Sequence, residues 1–400
     1  MRGVQPIIAL VIASCLLVSL LILLSFGTVP GLSSPTSASP SVYLLYASAG
    51  TMPQLLNTHQ IDAFLVWEPV VSNAELSGIG KRVAVPSDLP PPGKWDAAAI
   101  NVLVLRNDTI EQYPDISALL SALTMAAINR TNDDPARAEK ITAAWVFGDE
   151  PILTPVGSLE PLAVEQRSFN NMVFTATAVP ADSGIVKSVA AVAPDADNPG
   201  AVVLRGLAFL NGSAVPRIPE NIPTLNIGYI PSSDNYAPLY VMVKDSQYFC
   251  DRYNFCLVPD SPSASRPVAC TLLYNGTPMA HVTLEPGQSG GGIMTTIGQK
   301  ALEGAYLGSV PAELQIGLGN PATIIQSINT GGTGLVVANT APCNDWDGFV
   351  RWAKIRSAAG KPVVIATVQS SIPEDMVREA CEYENLSVKF YGTDFTTNTA

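Results

Sequence analysis

Short apolar runs alternate with longer amphipathic stretches along most of this chain. Val42 to Tyr46, Ile61 to Trp67 and Arg82 to Val85 read as strands. A short helix over Met52 to His59 separates the first two, and Glu68-Pro69 opens another that runs to about Gly78. Proline suits a first helical turn, where its missing N–H costs no bond, and glutamate there complements the helix dipole. Pro90 to Gly93 breaks the pattern and Ala99 to Leu105 is extended. From Asn107 to Glu150 the period is helical, with a boundary at Tyr113-Pro114 and helix starts near Asp115 and Asp134. Leu159 to about Ala193 adds two further helices. Pro194 to Pro223 is rich in Pro, Gly and Asn and reads as an internal linker.

A second run of the same kind follows. Strands are expected at Thr224 to Ile230, His281 to Leu284, Gly304 to Leu307, Ala322 to Ser327, Gly334 to Ala338, Pro362 to Thr367 and Leu386 to Tyr391. Helices are expected at Gly292 to Leu302, from about Pro311, at Asp345 to Ala358 and at Pro373 to Tyr383. Strands alternating with helices of ten to fifteen residues predict an α/β fold with two parallel-rich lobes.

The N-terminus has a different pattern. Ile7 to Phe26 carries no charge and follows Arg2. At about 1.5 Å per residue that run matches the hydrocarbon thickness of a bilayer. It reads as a transmembrane anchor with the remainder outside the cytoplasm, by the positive-inside rule. A cleaved secretory signal is the rival, and Ile12 to Cys15 resembles a lipoprotein cleavage box, although mostly apolar residues continue past Cys15. Thr28 to Ser41 reads as a flexible stalk.

Composition narrows the function. The 400 residues are 47% apolar and 14% charged, as in a globular protein of two domains. Thirty-four Asp and Glu against 22 Lys and Arg give a net charge of −12. That excess argues against a nucleic-acid partner, which requires a basic face. Cys250 and Cys256 are spaced for a disulfide in an oxidising compartment; a metal site would need two more ligands nearby. Asn107, Asn129, Asn211, Asn275 and Asn385 each begin an Asn-X-Ser/Thr sequon.

Catalytic patterns are sparse. Gly287 to Gly291 spells Gly-Gln-Ser-Gly-Gly, the pattern of a serine-hydrolase elbow centred on Ser289. His59 and His281 are the only histidines and both precede Ser289, whereas that class places its histidine after the nucleophile. The same glycines also suit a strand-to-helix turn. The clusters Gly317 to Gly319 and Gly331 to Gly334 lack the third glycine and following helix of a dinucleotide fingerprint. No cofactor is implied.

Two stretches resemble one family. Ile61-Asp-Ala-Phe-Leu-Val-Trp-Glu-Pro69 and Leu225-Asn-Ile-Gly-Tyr-Ile-Pro231 are similar to segments of the substrate-binding proteins of ABC importers for nitrate, sulfonates, taurine and thiamine precursors. In that family the second of these comes first. The reversed order points to a circularly permuted two-lobed, type II periplasmic-binding-protein-like fold, or to a tandem fusion of partial copies. Arg106 to Pro114 resembles the family's returning helix. Permutation would divide the chain into an anchor or signal (1–27), a stalk (28–41), one lobe from 42–98 and 341–400, and another from 99–193 and 224–340. The linker 194–223 would then join the family's natural termini.

The resemblance implies an extracytoplasmic solute-binding protein, not an enzyme, working with an ABC permease and its ATPase. Its ligand would be a small anion or small organic solute held at the carboxyl ends of strands. Three loops fit that position: Ser232, Ser233, Asp234 and Asn235; Gly308 and Ser309; Gln369, Ser370 and Ser371. Trp67 and Glu68 end a strand on the same face, and Trp67 is divided between packing on a ligand and packing in the core. No Lys or Arg sits in the three loops, which disfavours a dianion. An enzyme on the same fold, either similar to the pyrimidine-precursor synthases or a hydrolase using Ser289, is the alternative.

Overall fold

A computed structural model of the chain describes residues 39–154, 157–177 and 198–391. The apolar run 7–26, Cys15 and nearly all of the stalk lie outside the described residues, and no helix among those described is long and apolar enough to cross a membrane.

The described chain begins in one lobe, with β1 (Ser41–Tyr46), β2 (Ala63–Trp67) and β3 (Gly80–Ala84). It crosses to a second lobe for β4 (Asn101–Arg106), the small hairpin β5 (Ile152–Thr154) and β6 (Gly157–Leu159), and β7 (Met172–Phe174). The same lobe continues through β8 (Thr224–Tyr229), β9 (Phe255–Pro259), β10 (Ala269–Tyr274), β11 (Thr277–Pro286), β12 (Gly304–Gly308) and β13 (Ala322–Gly331). The chain then returns to the first lobe for β14 (Thr333–Ala338), β15 (Val364–Thr367) and β16 (Ser387–Phe390). Six strands pair in the order β16-β1-β15-β2-β14-β3, and eight in the order β7-β13-β4-β12-β8-β11-β10-β9.

Within the six-stranded sheet, β15 runs parallel to both β1 and β2, with Ile365 opposite Ala63 and Leu44. Strands from the two ends of the described chain therefore share one core, in which Val42, Leu44, Ala63, Leu65, Val363, Ile365 and Met376 are buried together. The fully apolar β2, Ala-Phe-Leu-Val-Trp, is what a strand covered on both faces requires.

Only part of the pairing is parallel, contrary to the expectation of parallel-rich lobes. In the eight-stranded sheet only β8 has parallel neighbours, β11 and β12; the other pairings are antiparallel. One cause is local. β10 and β11 join through Asn275-Gly276, both at positive φ (48° and 74°), the two-residue turn whose twist suits a hairpin. That dipeptide is a hairpin signal in the sequence as well as the start of a sequon.

Two further expectations need correction. The segment 194–223 contains a helix, Asn198–Leu210, that packs on Pro114–Asp133 with Val202 and Phe209 buried. Gly206 permits the approach, since a Cβ there would stand 2.9 Å from the Ala118 carbonyl oxygen. Flanking Pro, Gly and Asn hid its apolar period. The boundary between lobes also lies earlier than residue 340. The chain changes sheets at Gly331-Gly332, so β14 pairs with β2 and β3. Both glycines are left-handed, and added Cβ atoms would meet the Asn171 oxygen at 2.6 Å and the Asn235 Oδ1 at 2.2 Å.

Cys250 and Cys256 are disulfide-bonded, with Cα atoms 4.9 Å apart, and tie the Ser246–Tyr253 helix to β9. Cys270, Cys343 and Cys381 are free and buried.

Candidate functional site: a cleft at the strand ends

Parallel strands expose loops and helix N-termini at their carboxyl ends, and the connections after β8, β12 and β15 meet on one face of the molecule. Between them lies a cleft of about 480 Å³, its mouth included. Ser233 and Asn235 reach it from the first loop, Gly308 from the second, Gln369, Ser370 and Ser371 from the third, and Trp67 from the end of β2.

Four sequence candidates do not line it. Ser232 is exposed to solvent instead. The Ser309 hydroxyl donates to the Ala99 carbonyl (2.8 Å) and its N–H to the Ile100 carbonyl (2.9 Å), so it pins the strand-to-strand crossing. Asp234 and Glu68 are fully buried and belong to a polar cluster behind the cleft. Each neighbours a lining residue in sequence: Glu68 stands in the turn just after β2, and Asp234 opens the single 3-10 turn Asp234–Tyr236, where three residues per turn send adjacent side chains in different directions.

Asn101, Tyr236 and Thr333 line the cleft without having been expected there. Asn101 and Thr333 sit at the first residues of strands entering the two crossings, where no local sequence pattern marks them. Asn101 Nδ2 donates to Asn329 Oδ1 (3.0 Å), and Asn329 Nδ2 donates to Asn235 Oδ1 (2.8 Å). This amide relay fixes Asn235 with its oxygen engaged and its nitrogen left to donate. Trp67 Nε1 and Thr333 Oγ1 are shielded from water yet have no hydrogen-bond partner. An unmet buried donor costs about 1–3 kcal/mol, so two beside one cleft mark a place where a ligand would restore the bond.

The cluster behind the cleft joins the lobes. Glu68 accepts from Arg82 (2.6 Å), the Ser72 N–H (2.9 Å), Ser168 (3.3 Å) and Asn171 (3.3 Å). Its own N–H donates to the Gly332 carbonyl (2.9 Å), and the Gly332 N–H donates to the Asn171 carbonyl (2.7 Å), which clamps the crossing from both sides. Arg82 and Arg167 both pair with Glu75 (2.8 and 3.0 Å). Burial pushes the Glu75 carboxyl up, but the hydrogen bonds from Arg167 and Arg82 outweigh it and hold the group below the usual carboxylate range.

Asp234 and Glu165 lie buried against one another, short of hydrogen-bond geometry. Burial and the nearby Glu68 charge push Asp234 well up; burial and Asp234 push Glu165 well up. Both shifts favour the protonated carboxyl, because a second bare charge beside Glu68 has no counter-ion. No group of three metal-ligating side chains is assembled among the described residues.

The Gly-Gln-Ser-Gly-Gly stretch is structural. Ser289 caps the Gly290–Gly298 helix by accepting from the Gly292 N–H (3.2 Å), and a Cβ at Gly290 would meet Pro311 at 2.5 Å. Neither histidine lines the hollow beside Ser289; both are exposed elsewhere.

Residues 39–146, about a quarter of the chain, match the model of the NMT1-like family. This stretch is thus similar to a family in the periplasmic-binding-protein-like group of nitrate, sulfonate and taurine binders. It contains Trp67, Glu68 and Asn101 but none of the three loops. No curated protein and no solved structure matched the chain.

Proposed function

We propose that this protein is the extracytoplasmic solute-binding component of an ABC importer, capturing a small organic solute or small anion between its lobes. The observation that carries the reading is the convergence of loops from both sheets on one cleft that holds the unpartnered Trp67 Nε1 and Thr333 Oγ1. The described part of the chain passes between the lobes twice, at 85–100 and at Gly331-Gly332, and closure on a solute is the motion such a connection favours. The NMT1-like match over 39–146 agrees with a binding role. The reading extends to a membrane anchor or export signal at 7–26 and to a permease with its ATPase as partner. It also extends to circular permutation, which the pairing of β15 with β1 and β2 supports.

A thermal-shift screen over nitrate, taurine, alkanesulfonates, bicarbonate and pyrimidines, with product analysis of each mixture, tests the function. A ligand-dependent rise in Tm without turnover is expected. Turnover of any compound, with loss on Ser289→Ala, would replace the receptor by an enzyme.

A further inference from the structure

We propose that the cleft selects a ligand without net charge, one that presents hydrogen-bond acceptors and an apolar face. The proposal rests on the binding reading above and narrows it.

No charged side chain lines the cleft. Neutral sites can still hold anions through helix N-termini, whose free N–H groups point at the ligand. Here several of those donors are already engaged or absent. On the Ile372–Tyr383 helix, Glu374 accepts from the Ser370 N–H (2.6 Å), and Ser371 accepts from the Glu374 N–H (3.3 Å). Pro373, in its first turn, has no N–H. On the Ser309–Gly317 helix, the Ser309 N–H is bound to the Ile100 carbonyl, and Pro311 removes another donor. On the Gly290–Gly298 helix, Ser289 takes the Gly292 N–H.

The groups behind the lining oppose an anion as well. Glu68, just after β2, and Glu374, in the first turn of the Ile372–Tyr383 helix, are buried carboxylates behind the cleft, and Glu374 already complements its own helix dipole. Their nearest cations, Arg82 and Arg378, are paired to them and turned from the lining. An anion would enter a low-dielectric space with no counter-charge, a costly transfer.

A cation would leave the two unmet donors of the cleft unmet. Trp67 Nε1 is a donor only, and Asn235 is left with its amide nitrogen. Both want acceptors, which an ammonium or guanidinium does not supply. Trp67, Ile230, Tyr236 and Ile372 give the cleft its apolar wall.

The test is equilibrium dialysis of the full-length protein against an equimolar mixture of nicotinamide, uracil, nicotinate, ethanesulfonate, nitrate and 1-methylnicotinamide, read by mass spectrometry and, for nitrate, ion chromatography. Nicotinamide and nicotinate differ little in shape, so charge decides between them. At least tenfold greater retention of a neutral probe than of any charged one is expected. Gln369 is exposed at the mouth, so Gln369→Lys should keep the wild-type Tm while shrinking the preference for nicotinamide over nicotinate about tenfold. Retention of an anion equal to or above the neutral probes, abolished by Asn235→Ala, would overturn the charge assignment and leave the binding function standing. Retention of no probe by the wild type would count against both.

Discussion

The cleft and the cluster behind it are built from adjacent residues and have opposite chemistry. Trp67 and Asn235 face the cleft, while Glu68 and Asp234 face the junction of the lobes. The cleft lining has no charge and leaves donors unmet. The cluster concentrates Glu68, Asp234, Glu165, Glu75, Arg82 and Arg167, and it meets its charges by pairing them or by keeping them protonated. Buried ion pairs contribute little net stability but fix geometry, since removing one partner leaves the other uncompensated. The comparison therefore assigns stability and lobe arrangement to the cluster and recognition to the cleft, within the same two loops.

The strongest way to break this division is Glu68→Ala. It strips Arg82 of a partner at the lobe junction and removes one acceptor from Ser168 and from Asn171, so a loss of about 3–5 kcal/mol in urea unfolding is expected. A loss below about 1 kcal/mol, typical of an exposed pair, would show that the cluster does not hold the lobes.

Gly332→Ala should cost about 2 kcal/mol or more, from the left-handed backbone at φ 69° and the approach of the new Cβ to Asn235. It is also the one change expected to damage both regions. Its stability loss should be rescued in part by Asn235→Ala, which removes the clashing oxygen.

Asp234 and Glu165 sharpen the comparison through pH. Their folded-state pKa values lie above those of the unfolded chain, so the folded state binds more protons. The stability they contribute is full at pH below the unfolded carboxylate values and is lost as pH rises through the raised native ones. Asp234→Asn combined with Glu165→Gln should flatten that decline in pH-dependent urea titrations. Glu75 acts in the reverse sense: its lowered pKa contributes stability above the unfolded value that is lost on acidification.

The smallest effects separate recognition from support. Asn235→Ala should weaken ligand binding several-fold, corresponding to about 0.5–1.5 kcal/mol for one hydrogen bond. Ser309→Ala should leave affinity unchanged and cost about 1 kcal/mol of stability, because its hydroxyl serves the Ala99 carbonyl. Calorimetric titration alongside unfolding measurements on both variants checks the pair.

The strand-and-loop framework was legible because apolar runs, Ser and Asn caps and Pro in first turns are local signals. Thr224 to Ile230, Gly304 to Leu307 and Pro362 to Thr367 fall on strands with bounds within a residue or two. The loops after them could be named as candidates for the same reason. Ala201 to Leu210 and Asn275-Gly276 also carried signals, obscured in one case by flanking Pro and Gly and in the other by a sequon.

By itself, then, the sequence determined many of the strands and helices and which loops lie at strand ends, since these depend on residue spacing and backbone chemistry over a few positions. Tertiary structure alone decided that the chain changes lobes at Gly331-Gly332. It alone turned Asn235 to the cleft and Asp234 to the junction, and brought Asn101 and Thr333 beside Trp67. Those outcomes depend on contacts between residues far apart in the chain, and no spacing along one segment encodes which distant surface a side chain will meet.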